Sequence, residues 1–179
     1  MVANGQQLMM EDHAMPSPAA APDFDSLAGQ LDYPMLIVTT AVQGRKAGCL
    51  VGFASQCSID PPLFMVWLSK KNHTYLVARS ADLLGIHFPT QDNLELATLF
   101  GSTTGFSTDK FARCAWHQGI EGIPLLTDCP SRFTGRIIQR IDTGDHEGVL
   151  VRPASVGATL TSAQLGFQQV RDLTPGNEA

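Results

Sequence analysis

The chain has 179 residues, of which 44% are hydrophobic and 16% are charged, a composition typical of one globular domain. Its net charge is −5, and residues 1–44 contain five acidic residues but no lysine or arginine. A chain without a basic excess is a poor candidate for binding nucleic acid or an anionic membrane. No stretch approaches the roughly 18 apolar residues of a membrane-spanning helix. The N-terminus matches neither a secretory nor a mitochondrial signal, so we predict a cytoplasmic protein.

The four cysteines, Cys49, Cys57, Cys114 and Cys129, form no CxxC pair, and no histidine stands at a zinc-finger offset from them. This spacing predicts no metal site. Because the chain shows no export signal, we expect all four thiols to be reduced and most of them to be buried.

Residues 1–21 are predicted to form a mobile tail, because they lack a hydrophobic period and lead into a proline-punctuated stretch at 16–22. The folded domain is expected to span 22–179 and to begin with a short helix over 24–31. From Tyr33 onward the chain is rich in β-branched residues, and turn residues separate its apolar runs. These runs predict strands over 35–42, 48–55, 63–68 and 83–88.

In the second half, polar and apolar residues alternate over 132–141 and predict a strand with one buried face. A turn at 143–145 leads into partner strands over 147–152 and 155–160. Helices are expected over 75–80, with Thr74 as N-cap, and over 93–100, ending at Gly101. Many short strands with few helices predict a mainly β fold, an antiparallel barrel with a few peripheral helices.

Two glycines, Gly48 and Gly52, interrupt the second predicted strand, in the run 48–62. Glycine in a strand indicates a bulge or a close approach of the backbone to another group. Planar rings with polar edges are bound in this way, by main-chain groups and small side chains. A plain bend of the barrel explains the same two glycines, and the residues alone do not separate the two interpretations.

The segment 69–74 follows a predicted strand and precedes a predicted helix. Hydroxyl groups, two lysines and the unpaired amides of a helix N-terminus converge there, an arrangement that favours phosphate. A solvated basic turn is the alternative. The chain contains no Walker loop and no GxGxxG element, so the common nucleotide-binding folds are not indicated.

A third segment, Gly144-Asp145-His146-Glu147, lies at the predicted hairpin. Adjacency in sequence does not establish Asp145 and His146 as a catalytic pair, and a lone histidine is more often a surface or core residue. Since no GxSxG motif occurs, a hydrolase triad is not indicated.

Taken together, these segments resemble the flavin reductase family, whose fold is an FMN-binding split β-barrel. The resemblance runs over about 35–156. Its markers are the 48–62 run, the 69–74 loop and the Gly-Asp-His turn, together with the segments 97–102, 109–111 and 123–126. Single markers are weak, but their common order and spacing are specific.

The resemblance implies an antiparallel split barrel that forms a homodimer with one FMN (or FAD) per subunit, near the subunit interface. It places the isoalloxazine ring and ribityl chain against Gly48, Cys49, Leu50, Val51, Gly52, Ala54 and Ser55. It assigns the phosphate to Ser69, Lys70, Lys71, His73 and Thr74. His146 would lie near the nicotinamide of NAD(P)H, the co-substrate. The implied reaction moves a hydride from nicotinamide C4 to flavin N5 and could serve a partner monooxygenase.

Two departures from the family pattern matter. Leu50-Val51-Gly52 stands where relatives carry hydroxyl side chains, so we expect flavin binding mainly through the backbone. The C-terminal pattern of the family is present only as Gln164-Leu165-Gly166-Phe167. Because this segment often helps to hold the pyridine nucleotide in the family, the resemblance supports flavin binding more strongly than NAD(P)H use. An FMN-binding electron carrier or flavin store without NAD(P)H turnover is therefore the alternative. A third interpretation is an oxidase or reductase that acts directly on an organic substrate.

Overall fold

The computed structural model describes residues 22–158 and 162–177. The predicted tail at 1–21 and the last residues of the predicted strand 155–160 lie outside this part of the chain. The described residues fall into two units, one ending at Leu31 and the other beginning at Asp32.

The first unit contains α1 (Pro22–Ala28). The sequence predicted this helix over 24–31, but the backbone changes its hydrogen bonding after Ala28. Gln30 N donates to Leu27 O and Leu31 N donates to Ala28 O, each spanning three residues rather than four. Such i to i−3 bonds tighten the chain into a turn, so the helix ends before Gln30.

The second unit is built around one seven-stranded sheet. Its members are β1 (Leu36–Val42), β2 (Arg45–Val51), β3 (Ala54–Ser58), β4 (Leu63–Ser69), β5 (Leu83–His87), β8 (Arg132–Asp142) and β9 (His146–Val156). Every pairing in the sheet is antiparallel, and the strand order is β2-β1-β5-β8-β9-β4-β3. A separate antiparallel pair consists of β6 (Trp116–Gln118) and β7 (Pro124–Leu126).

The strand order requires the sheet to curl. β2 and β3 are its two edges, yet only Gly52 and Phe53 join them in the chain. In a flat sheet six strand spacings of about 4.8 Å would separate them by roughly 29 Å, whereas the three residue steps from Val51 to Ala54 span at most about 11 Å. The sheet therefore rolls into an antiparallel half-barrel whose edges approach without pairing, which confirms the predicted split barrel.

The predicted strand 48–55 is two strands in the structure. β2 ends at Val51 and β3 begins at Ala54, so the chain changes edge at Gly52 and Phe53. The pattern of β-branched residues does not show this break, because both halves have strand composition. Phe53 O still accepts a hydrogen bond from Trp67 N of β4, at 2.9 Å.

Two hairpins follow the predicted turns. β1 and β2 are joined by Gln43 and Gly44, which have φ values of 50° and 79°, as a two-residue type I′ turn requires. β8 and β9 are joined through Gly144, with φ 104°. β9 is one strand where two short ones were predicted. The alternation predicted for β8 is wrong in both halves of the strand: Thr134, expected on the polar face, is buried, and Ile141, expected on the apolar face, is exposed. Bulges at 134/135 and 137/139 shift the register and interrupt the period of two.

Two further helices pack on the sheet, α2 (His73–Ala78) and α3 (Leu94–Ser102). The N-cap of α2 is Asn72 rather than the predicted Thr74, because the Asn72 side chain accepts the Thr74 N–H at 2.9 Å. Gly101 does not end α3; it lies inside the helix, where a Cβ would be only 3.0 Å from Leu50. Short 3₁₀ turns occupy Gln91–Asn93, Lys110–Arg113, Ile120–Gly122 and Phe167–Gln169.

The main core lies inside the half-barrel and contains residues such as Leu36, Val38, Val66, Leu84 and Val149, all almost fully buried. All four cysteines are free thiols; Cys49 and Cys129 are buried, Cys114 is partly buried and Cys57 is exposed. No helix in the described part of the chain is long and apolar enough to cross a membrane.

Candidate functional site

A cleft of about 210 Å³ opens where the barrel is split. One wall is the end of β2 with Gly52 and Phe53, and the facing wall is the end of β4, Trp67–Ser69. The segments around Tyr33 and Phe167 close one side, and Asn72 and His146 complete the lining. We call this the split cleft. It lies beside β2, an edge strand with one unpaired side.

Aromatic side chains dominate the split cleft. The ring of Tyr33 stacks on Phe167, with centroids 4.7 Å apart and planes inclined by 14°. Phe53 lies 6.1 Å from Tyr33 and 5.3 Å from the His146 ring, and it remains 53% exposed. The result is a row of four rings, Phe167, Tyr33, Phe53 and His146, beside the end of β2. Such surfaces suit a flat ligand.

The two glycines singled out in the sequence do approach flat rings, but these rings belong to the protein. A Cβ at Gly52 would lie 2.5 Å from the Tyr33 ring, and one at Gly48 would lie 2.7 Å from the Phe100 ring. Both positions therefore need glycine for internal packing. Gly52 lines the split cleft, whereas Gly48 lies in a different cavity.

His146 lies at the polar end of the cleft and is held by its neighbour. Its Nδ1 is 2.8 Å from Asp145 Oδ1. Because a carboxylate only accepts, Nδ1 carries a proton and Nε2 is left to meet a ligand. The same bond lowers the pKa of Asp145 below its ordinary value. The structure thus establishes the contact that sequence adjacency did not.

The 69–74 loop and the Gly-Asp-His turn, far apart in sequence, are joined in the structure. Ser69 pairs with His146 across β4 and β9. Lys70 donates from its backbone N to Asp145 O at 2.9 Å, and its Nζ forms an ion pair with Asp142 at 2.7 Å. These contacts fix the position of His146 relative to the end of β4.

The loop's other predicted phosphate ligands are placed differently. Thr74 is 1% exposed and hydrogen-bonds the Cys49 thiol, although burial still raises the pKa of that thiol. Lys71 N donates to Ser69 Oγ at 3.4 Å. His73 packs edge-on against Phe106, and burial together with the positive charges of Arg45 and Lys110 lowers its pKa.

The structure brings six of the thirteen predicted residues to the split cleft, namely Cys49, Leu50, Val51, Gly52, Ser69 and His146. Gly48 and His73 line the other cavity. Ala54, Ser55, Lys70, Lys71 and Thr74 line neither, and the Ser55 hydroxyl donates to the Gln56 carbonyl.

Seven lining residues were not among the predicted site residues, namely Tyr33, Met35, Phe53, Trp67, Leu68, Asn72 and Phe167. The signal available for them is weak. Tyr33, Phe53 and Phe167 lie outside the strands, whereas Trp67 lies within β4; nothing in the sequence shows that these segments meet.

Comparison with known proteins settles the family. The sequence model of the flavin reductase like domain matches residues 28–171. The chain belongs to the flavin reductase family. The match is longer than the 35–156 predicted from motifs and includes the C-terminal segment, where Met35 N donates to Leu165 O at 2.8 Å and Phe167 stacks on Tyr33. The family makes this chain an oxidoreductase of the flavin reductase type.

Individual flavin reductases show how far the similarity extends. The chain is 26% identical to the FMN reductase (NADH) RutF of Variovorax paradoxus, over 78% of this chain and 79% of that protein. A crystal structure of an oxidoreductase from Sinorhizobium meliloti superposes with a TM-score of 0.73 and 24% identity, over 85% of this chain but only 51% of the longer protein. The flavin reductase HpaC, solved with NADP+, superposes with a TM-score of 0.70 and 21% identity, over 80% and 90% of the two chains. Both of these structures have the same fold as this chain.

Proposed function

We propose that this flavin reductase binds FMN in the split cleft, reduces it with NADH or NADPH, acts as a homodimer and passes the reduced flavin to a partner monooxygenase. The observation that carries the proposal is the cleft itself, in which four rings and the Asp145–His146 pair converge on an unpaired strand edge. The RutF relative, named as an FMN reductase that uses NADH, supports the choice of both ligands.

The residues of the cleft fit a flavin. Around Leu50–Gly52 the unpaired side of β2 offers backbone N–H and C=O groups to a ligand. The side chains there are apolar and offer no hydrogen-bonding groups of their own. Ser69 and Asn72 add a hydroxyl and an amide at the polar end. When bound, the flavin supplies the ring that accepts a hydride from nicotinamide. The protein's tasks are to hold the two ligand rings in contact and to stabilise the charge that develops.

Each side chain has a task that follows from its position. Tyr33 and Phe167 form a stacked, apolar side wall that orients a flat ligand and excludes water. Phe53, more than half exposed, offers a ring face to a second ligand at the mouth. His146, oriented by Asp145, presents Nε2 as its remaining polar atom. This position lets His146 hydrogen-bond the nicotinamide without moving a proton during hydride transfer.

The decisive experiment mixes purified protein with FMN and either NADH or NADPH. We expect oxidation of one nucleotide well above the uncatalysed rate, and no acceleration with either would contradict the proposal. Under the electron-carrier alternative, the protein binds FMN tightly, and adding NADH does not bleach the absorbance of the bound flavin.

His146→Ala tests the site rather than the overall activity. We expect flavin reduction to slow by roughly 10- to 100-fold, the scale of a misplaced reactant, while FMN affinity stays close to wild type. Stopped-flow absorbance measures the reduction step and fluorescence titration measures the affinity. An unchanged reduction rate would remove His146 from the proposed site.

A further inference from the structure

Residues 173–177 lie beyond the family match at 28–171, and they pack back on the end of α3. We call this segment the C-terminal strap. Gly176 N donates to Gly101 O of α3 at 2.9 Å. At the start of the strap, the Leu173 side chain packs on the same small core cluster as Tyr33 and Phe167 of the split cleft. The strap is therefore joined to α3 and to the core beside the cleft.

Gly176 is in close contact with the backbone where α3 ends. A Cβ at Gly176 would lie 2.6 Å from Thr103 C and 2.7 Å from both Ser102 C and Thr103 N. These three are main-chain atoms, which cannot rotate away as the end of a side chain can. Glycine is the residue that lets two backbones approach this closely, so the position of the strap depends on Gly176.

Asn177, the next residue of the strap, binds the loop after α3. Thr104 Oγ1 donates to Asn177 Oδ1 at 2.7 Å, and the same hydroxyl oxygen accepts the Phe106 N–H at 3.3 Å. One hydroxyl group thus connects the strap to the segment 104–106.

The segment 104–106 in turn packs on the first residue of α2. A Cβ at Gly105 would lie 2.6 Å from His73 Nδ1, and the Phe106 ring meets the His73 ring edge-on, with centroids 5.1 Å apart. His73 directly follows Asn72, which caps α2 and lines the split cleft. A continuous row of contacts therefore leads from Asn177 to the cleft.

The end of α3 reaches the cleft by a shorter route. A Cβ at Gly101 would lie 3.0 Å from Leu50 Cδ2 and 3.8 Å from Leu173 Cδ1. Leu50 lines the split cleft, so the same turn of α3 lies between a residue of the strap and a residue of the cleft. Contiguous packing and hydrogen bonds of this kind are able to couple two places in a protein.

We propose that the C-terminal strap positions the split cleft for FMN, through the contact of Gly176 with α3 and through the Thr104–Asn177 hydrogen bond. The inference rests on the proposed function and adds positioning residues outside the family match. No residue of the strap lines the cleft, so Gly176 and Asn177 act through their neighbours and not by touching the flavin. Because coupling between two sites is reciprocal, FMN must also stabilise the attachment of the strap when it binds.

The test compares four variants of the full-length protein. Gly176→Ala forces the strap away from α3, and Thr104→Val removes the hydroxyl with little change of side-chain volume. Thr104→Ser keeps the hydroxyl and is the conservative variant. Gly157→Ala is the matched control, because a Cβ there would also lie only 2.9 Å from a main-chain atom, Pro130 O, while neither residue lines the cleft.

Fluorescence titration measures FMN affinity, and thermal unfolding measures stability. We expect Gly176→Ala and Thr104→Val to weaken FMN by roughly fivefold or more, the scale of coupling between separate sites. Thr104→Ser should bind FMN as the wild-type protein does. Gly157→Ala should also keep its FMN affinity although its melting temperature falls, which separates positioning of the cleft from a general loss of stability.

Hydrogen exchange supplies the reciprocal measurement. In the wild-type protein we expect FMN to slow amide exchange within 173–177, a segment that does not line the cleft. In Thr104→Val this effect of FMN on the strap should be smaller, because the hydrogen bond that joins Asn177 to the loop is absent.

Unchanged FMN affinity in Gly176→Ala or in Thr104→Val would overturn the inference, as would an equal loss of affinity in Gly157→Ala or strap exchange that FMN does not change. If Gly176→Ala does not fold, the pair Thr104→Val and Thr104→Ser decides. Failure of the proposed function has a different signature. Wild-type protein that binds FMN but oxidises neither NADH nor NADPH would overturn the function alone, whereas wild-type protein that does not bind FMN would overturn both.

Discussion

Gly52 lies where the chain leaves β2 for β3, and the ring of Tyr33 occupies the space that a side chain would need. The Tyr33 ring cannot simply move aside, because it stacks on Phe167 at 4.7 Å. A methyl group added at Gly52 would therefore separate this pair or bend the β2–β3 junction. The requirement for glycine at this position is one of packing, and it holds whether or not a ligand is bound.

We predict that Gly52→Ala destabilises the protein by about 1–3 kcal/mol, the usual cost of an overpacked site. Urea unfolding measures the free energy. The control is the double variant Tyr33→Ala/Gly52→Ala. If the clash with Tyr33 is the cause, Gly52→Ala costs much less stability in the Tyr33→Ala background than in the wild-type protein. Full additivity of the two losses would contradict this explanation.

At the scale of the element, α2 connects both cavities through its first residues. The helix has only six residues, His73–Ala78, and its start depends on Asn72, whose side chain accepts the Thr74 N–H. Asn72 also lines the split cleft, while His73 lines the other cavity, of about 360 Å³. The start of this short helix thus lies between the two cavities.

Asn72→Ala should cost about 1 kcal/mol of stability through the lost N-cap, and it should also weaken FMN by removing an amide from the cleft. Asn72→Asp is the matched control, because aspartate caps helices equally well. We expect thermal unfolding to show a lower melting temperature for the alanine variant and a nearly unchanged one for the aspartate variant. Equal destabilisation by both substitutions would show that the cap is not the cause.

For the whole molecule, stability depends on a histidine buried in the sheet. His87 Nδ1 lies 3.0 Å from Ile37 O, and its Nε2 accepts the Leu126 N–H at 3.1 Å. With Nε2 as acceptor, Nδ1 carries the proton and the ring is neutral. Burial lowers the pKa of His87 to about 3, whereas an unfolded chain returns it to about 6.5.

Below about pH 6.5 the unfolded chain therefore binds a proton that the folded chain does not, so stability falls as pH falls towards 3. We predict a loss of about 1 kcal/mol from His87 between pH 7 and pH 5.5, measured by urea unfolding at constant ionic strength. His73 changes in the same direction, since its pKa is also lowered, and His73→Gln separates the two contributions. Stability that is constant over this interval would contradict the neutral assignment.

The size of the split cleft bears on assembly. At about 210 Å³ it is smaller than the roughly 300 Å³ at which ligand pockets usually begin, so one chain encloses too little of a flavin. We predict a homodimer with twice the 19.3 kDa chain mass, measured by light scattering, and an FMN affinity that falls on dilution below the dimer dissociation constant. A monomer that binds FMN tightly would contradict both statements.

Local chemistry made much of this molecule predictable from its sequence. β-Branched runs located β1, β4 and β5 to within a residue or two, since branched side chains have restricted χ1 angles and pack well on a pleated surface. The hairpins at Gly44 and Gly144 followed from turn residues that tolerate positive φ. The ordered motifs identify the family, and they single out His146 without showing its contact with Asp145.

Only the tertiary structure decided where the sites are. It divided one predicted strand at Gly52, brought Tyr33, Phe53 and Phe167 to one cleft, and buried Lys110 beneath β2. These features depend on which strand edges meet after the sheet curls, and that is set by packing between residues far apart in the chain. Local preference carries no information about such distant contacts, so the sequence indicated the chemistry of the protein while the fold located it.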